Sequence, residues 1–102
     1  MKSELQMILN KINLFAHYQV EQFNDYRNLV RLSIEKLQNL SAEDPNPMLA
    51  AWLSMGLEEL RRELNNRLTD HFDSLPLDKQ RSEFMYSRST VTMTLTNIIM
   101  NL

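Results

Sequence analysis

The chain has 102 residues, 43% of them hydrophobic and 24% charged, and its eleven Lys and Arg against thirteen Asp and Glu leave a net charge of -2. That composition is globular, fits one domain over residues 1–102, and is too balanced for a DNA mimic and too acidic for a typical nucleic-acid binder. One glycine, Gly56, and no cysteine exclude glycine-rich phosphate loops, disulfide staples and thiolate-based metal or nucleophilic sites.

Lys2, Glu4 and Gln6 interrupt any apolar signal core, and no run approaches eighteen apolar residues. The expectation is therefore no signal peptide, no membrane span and a reducing cytoplasm.

From Met1 to Glu43 there is neither Gly nor Pro. Leu5, Ile8, Ile12 and Phe15 draw one apolar stripe at helical spacing, which falters at Gln19 and Gln22. A second stripe runs through Phe23, Tyr26, Val30, Ile34, Leu37 and Leu40. Two readings fit: one helix of about 35–40 residues whose apolar face rotates, or two helices broken near Asn24-Asp25. Asn-Asp is a weak stop, which favours the continuous helix. Such a helix is about 52–60 Å long. Its partners are too short to cover it, so exposed apolar surface argues for a dimer or a bound protein.

Ser41 to Pro47 is the clearest punctuation. Pro45 and Pro47 disfavour helix at the residues before them. Asn46 is a good N-cap, with Pro47 at the first helical position. One helix should end near Leu40 and the next begin at Pro47. That next helix carries the stripe Leu49, Leu53, Leu57, Leu60, Leu64, Leu68 and Phe72, with Trp52 beside it, up to Ser74-Leu75-Pro76. Glu58–Arg62 and Glu63–Arg67 are i,i+4 pairs, each worth about 0.3–0.5 kcal/mol. Gly56 in mid-helix costs about 1 kcal/mol relative to Ala, which points to close approach by another helix, the alternative being a local kink.

Leu77, Phe84, Val91 and Ile98 lie seven apart, with Leu95 and Leu102 interleaved. This is a heptad seam in which Arg81 and Arg88 occupy positions expected to be apolar. Thr90 to Thr96 alternates polar and apolar at the strand period; a strand there could pair only with its copy in a dimer or with another protein, which favours helix over that alternative. The expected fold is all-α, an antiparallel bundle of three, at most four, helices with a long first helix.

Catalytic constellations are missing. Asp70-His71-Phe72-Asp73 offers too few ligands on one face for a metal. His17 has no recognisable partner for general-base work. No serine is flanked by the two glycines of a nucleophile elbow. Arg61, Arg62 and Arg67 interleave with Glu58, Glu59 and Glu63 and read as a solvated helix face. Seven methionines with Trp52, Tyr86 and Phe84 outline an adaptable apolar surface.

Leu37-Gln38-Asn39-Leu40 with Asn46-Pro47-Met48-Leu49-Ala50-Ala51-Trp52, and Tyr86-Ser87-Arg88-Ser89-Thr90-Val91, resemble the needle-subunit family of type III secretion systems. The resemblance implies a helical hairpin turning at Asn46-Pro47 and a secretion-apparatus component. It covers under a quarter of the chain, and Leu53 to Glu83 is far longer than that hairpin.

The reading is a small non-catalytic interaction protein of bacterial or phage type, without cofactor or metal. It would act as an adaptor, chaperone or stoichiometric inhibitor toward another protein or a second copy of itself. The surface would comprise Trp52, Met55, Arg81, Phe84, Met85, Arg88 and Met93. The alternative is a dimeric nucleic-acid-linked regulator presenting Lys79, Arg81 and Arg88, whose binding would fall steeply with salt.

Overall fold

The computed structural model describes residues 2–43 and 46–102, and all regular structure among them is helical. Four helices form: α1 (Lys2–Asn13), α2 (Phe23–Glu43), α3 (Pro47–Asn66) and α4 (Leu77–Met100). Short 3-10 turns at Val20–Gln22 and Phe72–Ser74 precede α2 and α4. Helix α1 packs on α2 and α4, and α3 also packs on α2 and α4.

The expected long first helix is not formed. The chain leaves helical geometry between Leu14 and Gln19, not at Asn24-Asp25, which lie in the first turn of α2. The amides of Leu14 and Phe15 bond three residues back, to Lys11 O and Ile12 O, tightening the end of α1. The reason for the bend is tertiary. Folding back buries Leu5, Ile8, Leu9 and Ile12 of α1 against the rest of the core, where each side chain gains about 1.5–3 kcal/mol over remaining exposed. Phe15 meets the edge of the Tyr26 ring, and Tyr18 packs against Phe72 and Phe84. Arg88 Nη1 donates to Phe15 O across 3.2 Å.

Helix α2 buries Tyr26, Val30, Ile34 and Leu37, as its stripe predicts, and runs three residues past Leu40. It also buries Ser33, whose hydroxyl donates to Leu29 O. Asp44 and Pro45 lie outside the described residues. Asn46 caps α3: its side-chain oxygen accepts from Met48 N at 3.0 Å and Leu49 N at 3.5 Å, and Pro47 holds the first helical position.

The leucine stripe of α3 buries Leu53, Leu57 and Leu60, but the helix stops at Asn66, short of Phe72. Glu63 O there accepts from both Arg67 N and Leu68 N. Leu68 and Phe72 still reach the core, from the connecting segment. Phe23 stacks on Phe72 with ring centroids 4.2 Å apart. Gly56 marks close approach, as expected. A Cβ there would collide with Ile98 Cδ1, with Ile98 Cγ1 at 3.3 Å and Thr94 Cγ2 at 3.5 Å.

Thr90–Thr96 is helical. Val91, Leu95, Ile98 and Ile99 take one helical face into the core and leave Met93 outside. Burial of those four side chains overrides the strand preference of the threonines, which nothing in the all-helical surroundings could satisfy. The seam is buried at Phe84, Val91, Leu95 and Ile98, whereas Leu77 and Leu102 at its ends are exposed.

Candidate functional site

Apart from Ser33, the buried polar groups of the core tie separate segments of the chain together. Gln80 sits at the centre of one network. Its Nε2 donates to Asp73 O and Leu75 O, and its Oε1 accepts from the Tyr18 hydroxyl at 2.6 Å. Tyr26 and Ser87 share a buried hydrogen bond of 2.8 Å. Burial pushes the Tyr26 hydroxyl well above the ordinary tyrosine range, and burial followed by the charges of Asp73 and Glu21 raises that of Tyr18.

Arg67 joins two carboxylates. It contacts Glu63 at 2.9 Å and Glu83 at 2.7 Å, and its guanidinium lies 5.8 Å from the Tyr86 ring centre. Partial burial alone would lower its pKa, but Glu63 and Glu83 outweigh that and hold it firmly charged. Arg67 therefore belongs to a half-buried ion-pair network, not to the expected solvated face. Glu58, Glu59 and Arg62 do form an exposed set.

Among the described residues, no three His, Cys, Asp or Glu side chains come together as a metal site. His17 and His71 are exposed on the connecting segments.

The expected interaction surface is divided by the fold. Phe84 is 1% exposed and packs against Tyr18 and Tyr26, so it is core. Arg88 is half-buried with its guanidinium on Phe15 O. Arg81 and Met85 are exposed along α4, where with Asp78, Ser82, Tyr86 and Ser89 they line a shallow open depression. Lys79 and Arg81, two residues apart on α4, point to opposite sides of the helix. Lys79, Arg81 and Arg88 thus form no common basic patch.

Trp52, Met55 and Met93 remain on the outside, together with Met48, Met100 and Tyr86 of the expected methionine and aromatic surface. Met48 and Met55 of α3 are 76% and 63% exposed, and Met93 and Met100 of α4 are 62% and 76% exposed. Each pair is seven residues apart, so its members share one side of their helix to within about 20°. Tyr86, seven before Met93, extends the α4 row and is exposed as well. A second feature coincides with these rows. Residues 46–57 and 89–102 contain no Asp, Glu, Lys or Arg, so all 24% of the chain that is charged lies elsewhere. The two uncharged stretches meet where Ile98 and Thr94 close on Gly56. This signal is present in the sequence as a charge gap, but its significance depends on α3 and α4 being neighbours.

An apolar groove that the sequence did not disclose lies in the crook between α1 and α2. It has a volume of about 470 Å³ and is lined by Leu14, Phe15, Leu29 and Leu32, with Lys11 and Asp25 at its rim. A smaller, more polar hollow of about 250 Å³ lies beside Tyr18, Phe23, Arg27 and Asp70. Its Arg27 pairs with Asp70 and Asn24, and its Nε is buried without a partner.

No helix among the described residues is long and apolar enough to cross a membrane. No family model, curated protein or solved structure matches the chain.

Proposed function

We propose that the protein works by binding another protein without catalysis, through the uncharged end formed by the start of α3 and the last half of α4. The observation that carries this reading is the coincidence of exposed Met48, Trp52, Met55, Met93 and Met100 with two charge-free stretches that touch at Gly56. Solvated helix faces of globular proteins are normally rich in charge. Interface centres are depleted of charge and enriched in methionine and aromatic residues, and methionine adapts its shape to a partner. Adaptor, chaperone and stoichiometric inhibitor all fall within this class, and a cysteine-free chain suits the cytoplasm.

The four helices are read as an antiparallel bundle. Gly56 on α3 and then Arg67, just past its end, meet α4 in descending order, at Ile98 and then Glu83. Glu4 on α1 with Lys36, and then Phe15, just past its end, with Tyr26, make the same reversal against α2. That orientation would set Met55, next to Gly56, near the last turns of α4.

The test is site-specific photo-crosslinking in cells, with the photoreactive residue at Met55 or Met93 and, as the control, at Arg61. One adduct of defined mass should form at the first two positions and not at Arg61. Met55→Glu/Met93→Glu should abolish it while keeping stability within about 0.5 kcal/mol per exposed site. Equal adducts at Arg61, or an adduct that survives the double substitution, would overturn the reading.

A further inference from the structure

We propose that α1 is an exchangeable arm: the 14–19 bend can straighten so that α1 and α2 become one helix, and α1 of a second copy then fills the vacated site. This goes beyond the docking surface proposed above and involves different residues.

The bend is made without any residue that requires one. Leu14, Phe15, Ala16, His17, Tyr18 and Gln19 include neither glycine nor proline, and no residue among those described has positive φ. Turns set by local chemistry rely on Gly, Pro, Asn or Asp at defined places. Here the contacts that hold the bend come from far along the chain. Arg88 binds Phe15 O, Gln80 binds the Tyr18 hydroxyl, and Tyr26, Phe72 and Phe84 receive the two rings. Releasing those contacts leaves a segment whose own preference is to continue the helix.

Straightened, residues 2–43 would span about 63 Å at 1.5 Å per residue. The closed molecule measures 44 Å along its longest axis, so an extended arm must protrude beyond its own body. The arm carries Leu5, Ile8, Leu9 and Ile12, all buried in the closed form, and cannot remain in water. A cleft of matching shape exists in one place, between α2 and α4 of another copy whose own arm has left. Reciprocal exchange re-forms every contact of α1, including Glu4 with Lys36 at 3.2 Å, and adds helical hydrogen bonds across the former bend. Exchange of identical elements through a short hinge is a low-cost route to a dimer.

The experiment uses the full chain with Glu4→Cys/Lys36→Cys, refolded from urea at micromolar and millimolar concentration and treated with a short bis-maleimide. Mass is measured by light scattering and by denaturing gel. The expected result is a species of twice 12.1 kDa at high concentration whose 4–36 links join two chains, beside monomer linked within one chain. Arg88→Ala, which frees Phe15 O, should raise the dimer fraction several-fold. Ala16→Pro, or two glycines inserted after Ala16 should the proline variant not fold, should reduce it at least tenfold, because proline breaks a continuous helix and paired glycines disfavour one. Met55→Glu/Met93→Glu should leave it unchanged, which separates this dimer from association through the uncharged end. A chain that remains monomeric at millimolar concentration, a dimer whose 4–36 links are all internal, or a dimer indifferent to both hinge variants would overturn the proposal.

Discussion

Replacing Gly56 by alanine sets two effects of known size against each other. Alanine in mid-helix is favoured over glycine by about 0.5–1 kcal/mol. The added Cβ, however, would collide with Ile98 Cδ1 and come within 3.3 Å of Ile98 Cγ1. Ile98 is itself buried, so its methyl has little room to swing away, and overpacking of this kind costs about 1–3 kcal/mol. Gly56→Ala should therefore destabilise by about 0.5–2 kcal/mol in spite of its better helix propensity. Ile98→Val removes the colliding methyl and alone should cost about 0.5–1.5 kcal/mol. In the Gly56→Ala background it should cost nothing or restore stability, giving a coupling of about 1–2 kcal/mol between the two sites. Urea unfolding followed by far-ultraviolet circular dichroism, on the wild type and three variants, measures this directly. A Gly56→Ala protein more stable than wild type, or additivity within about 0.3 kcal/mol, would refute the close approach of α3 and α4 at Gly56.

Two further outcomes follow from the buried polar groups. Tyr26 is held neutral by burial, above its ordinary range, while tyrosine in the unfolded chain ionises near pH 10. The unfolded state thus loses its proton first, so the stability present below about pH 10 should fall as pH rises above it, by about 1.4 kcal/mol per pH unit for this group. Alkaline urea titrations of wild type and Tyr26→Phe check this, and an unchanged slope in the variant would contradict it. Arg67→Met leaves Glu63 at the core edge without its cation; discounting for the part-exposure of the network, we expect a loss of about 2–3 kcal/mol. Glu63→Gln/Arg67→Met should recover much of that loss in the same unfolding assay, and a Glu63→Gln change that worsens Arg67→Met would contradict the network.

Much of the helical reading was legible because it depends on neighbours in sequence. The Asn46-Pro47 start of α3 follows from one side chain reaching two nearby amides and one ring that needs no N–H. Burial of Tyr26, Val30, Leu37, Leu53, Leu60, Val91 and Leu95 follows from apolar residues returning every three or four positions. Glycine in mid-helix pointed correctly to a closely packed neighbour, though not to which one.

Two errors share one cause: the continuous first helix and the extension of α3 toward Phe72 treat each segment as free to follow its own period. The surface placement of Phe84 went the other way, setting aside the seam period that its burial obeys. Only the folded chain brings Arg88 to Phe15 O, Gln80 to Tyr18 and Ser87 to Tyr26, partners separated by 73, 62 and 61 residues. The candidate surface has the same origin, since its two uncharged stretches are far apart in sequence and become one feature where Ile98 closes on Gly56. Sequence alone determined that the chain is helical, where α3 begins and which stripes turn inward, because hydrogen bonds four residues apart and side-chain periodicity are local. Tertiary structure decided where the first helix stops and which distant stretches become neighbours. Both depend on apolar burial and polar contacts between distant segments, whose gain exceeds the local preference for helix at Leu14–Gln19.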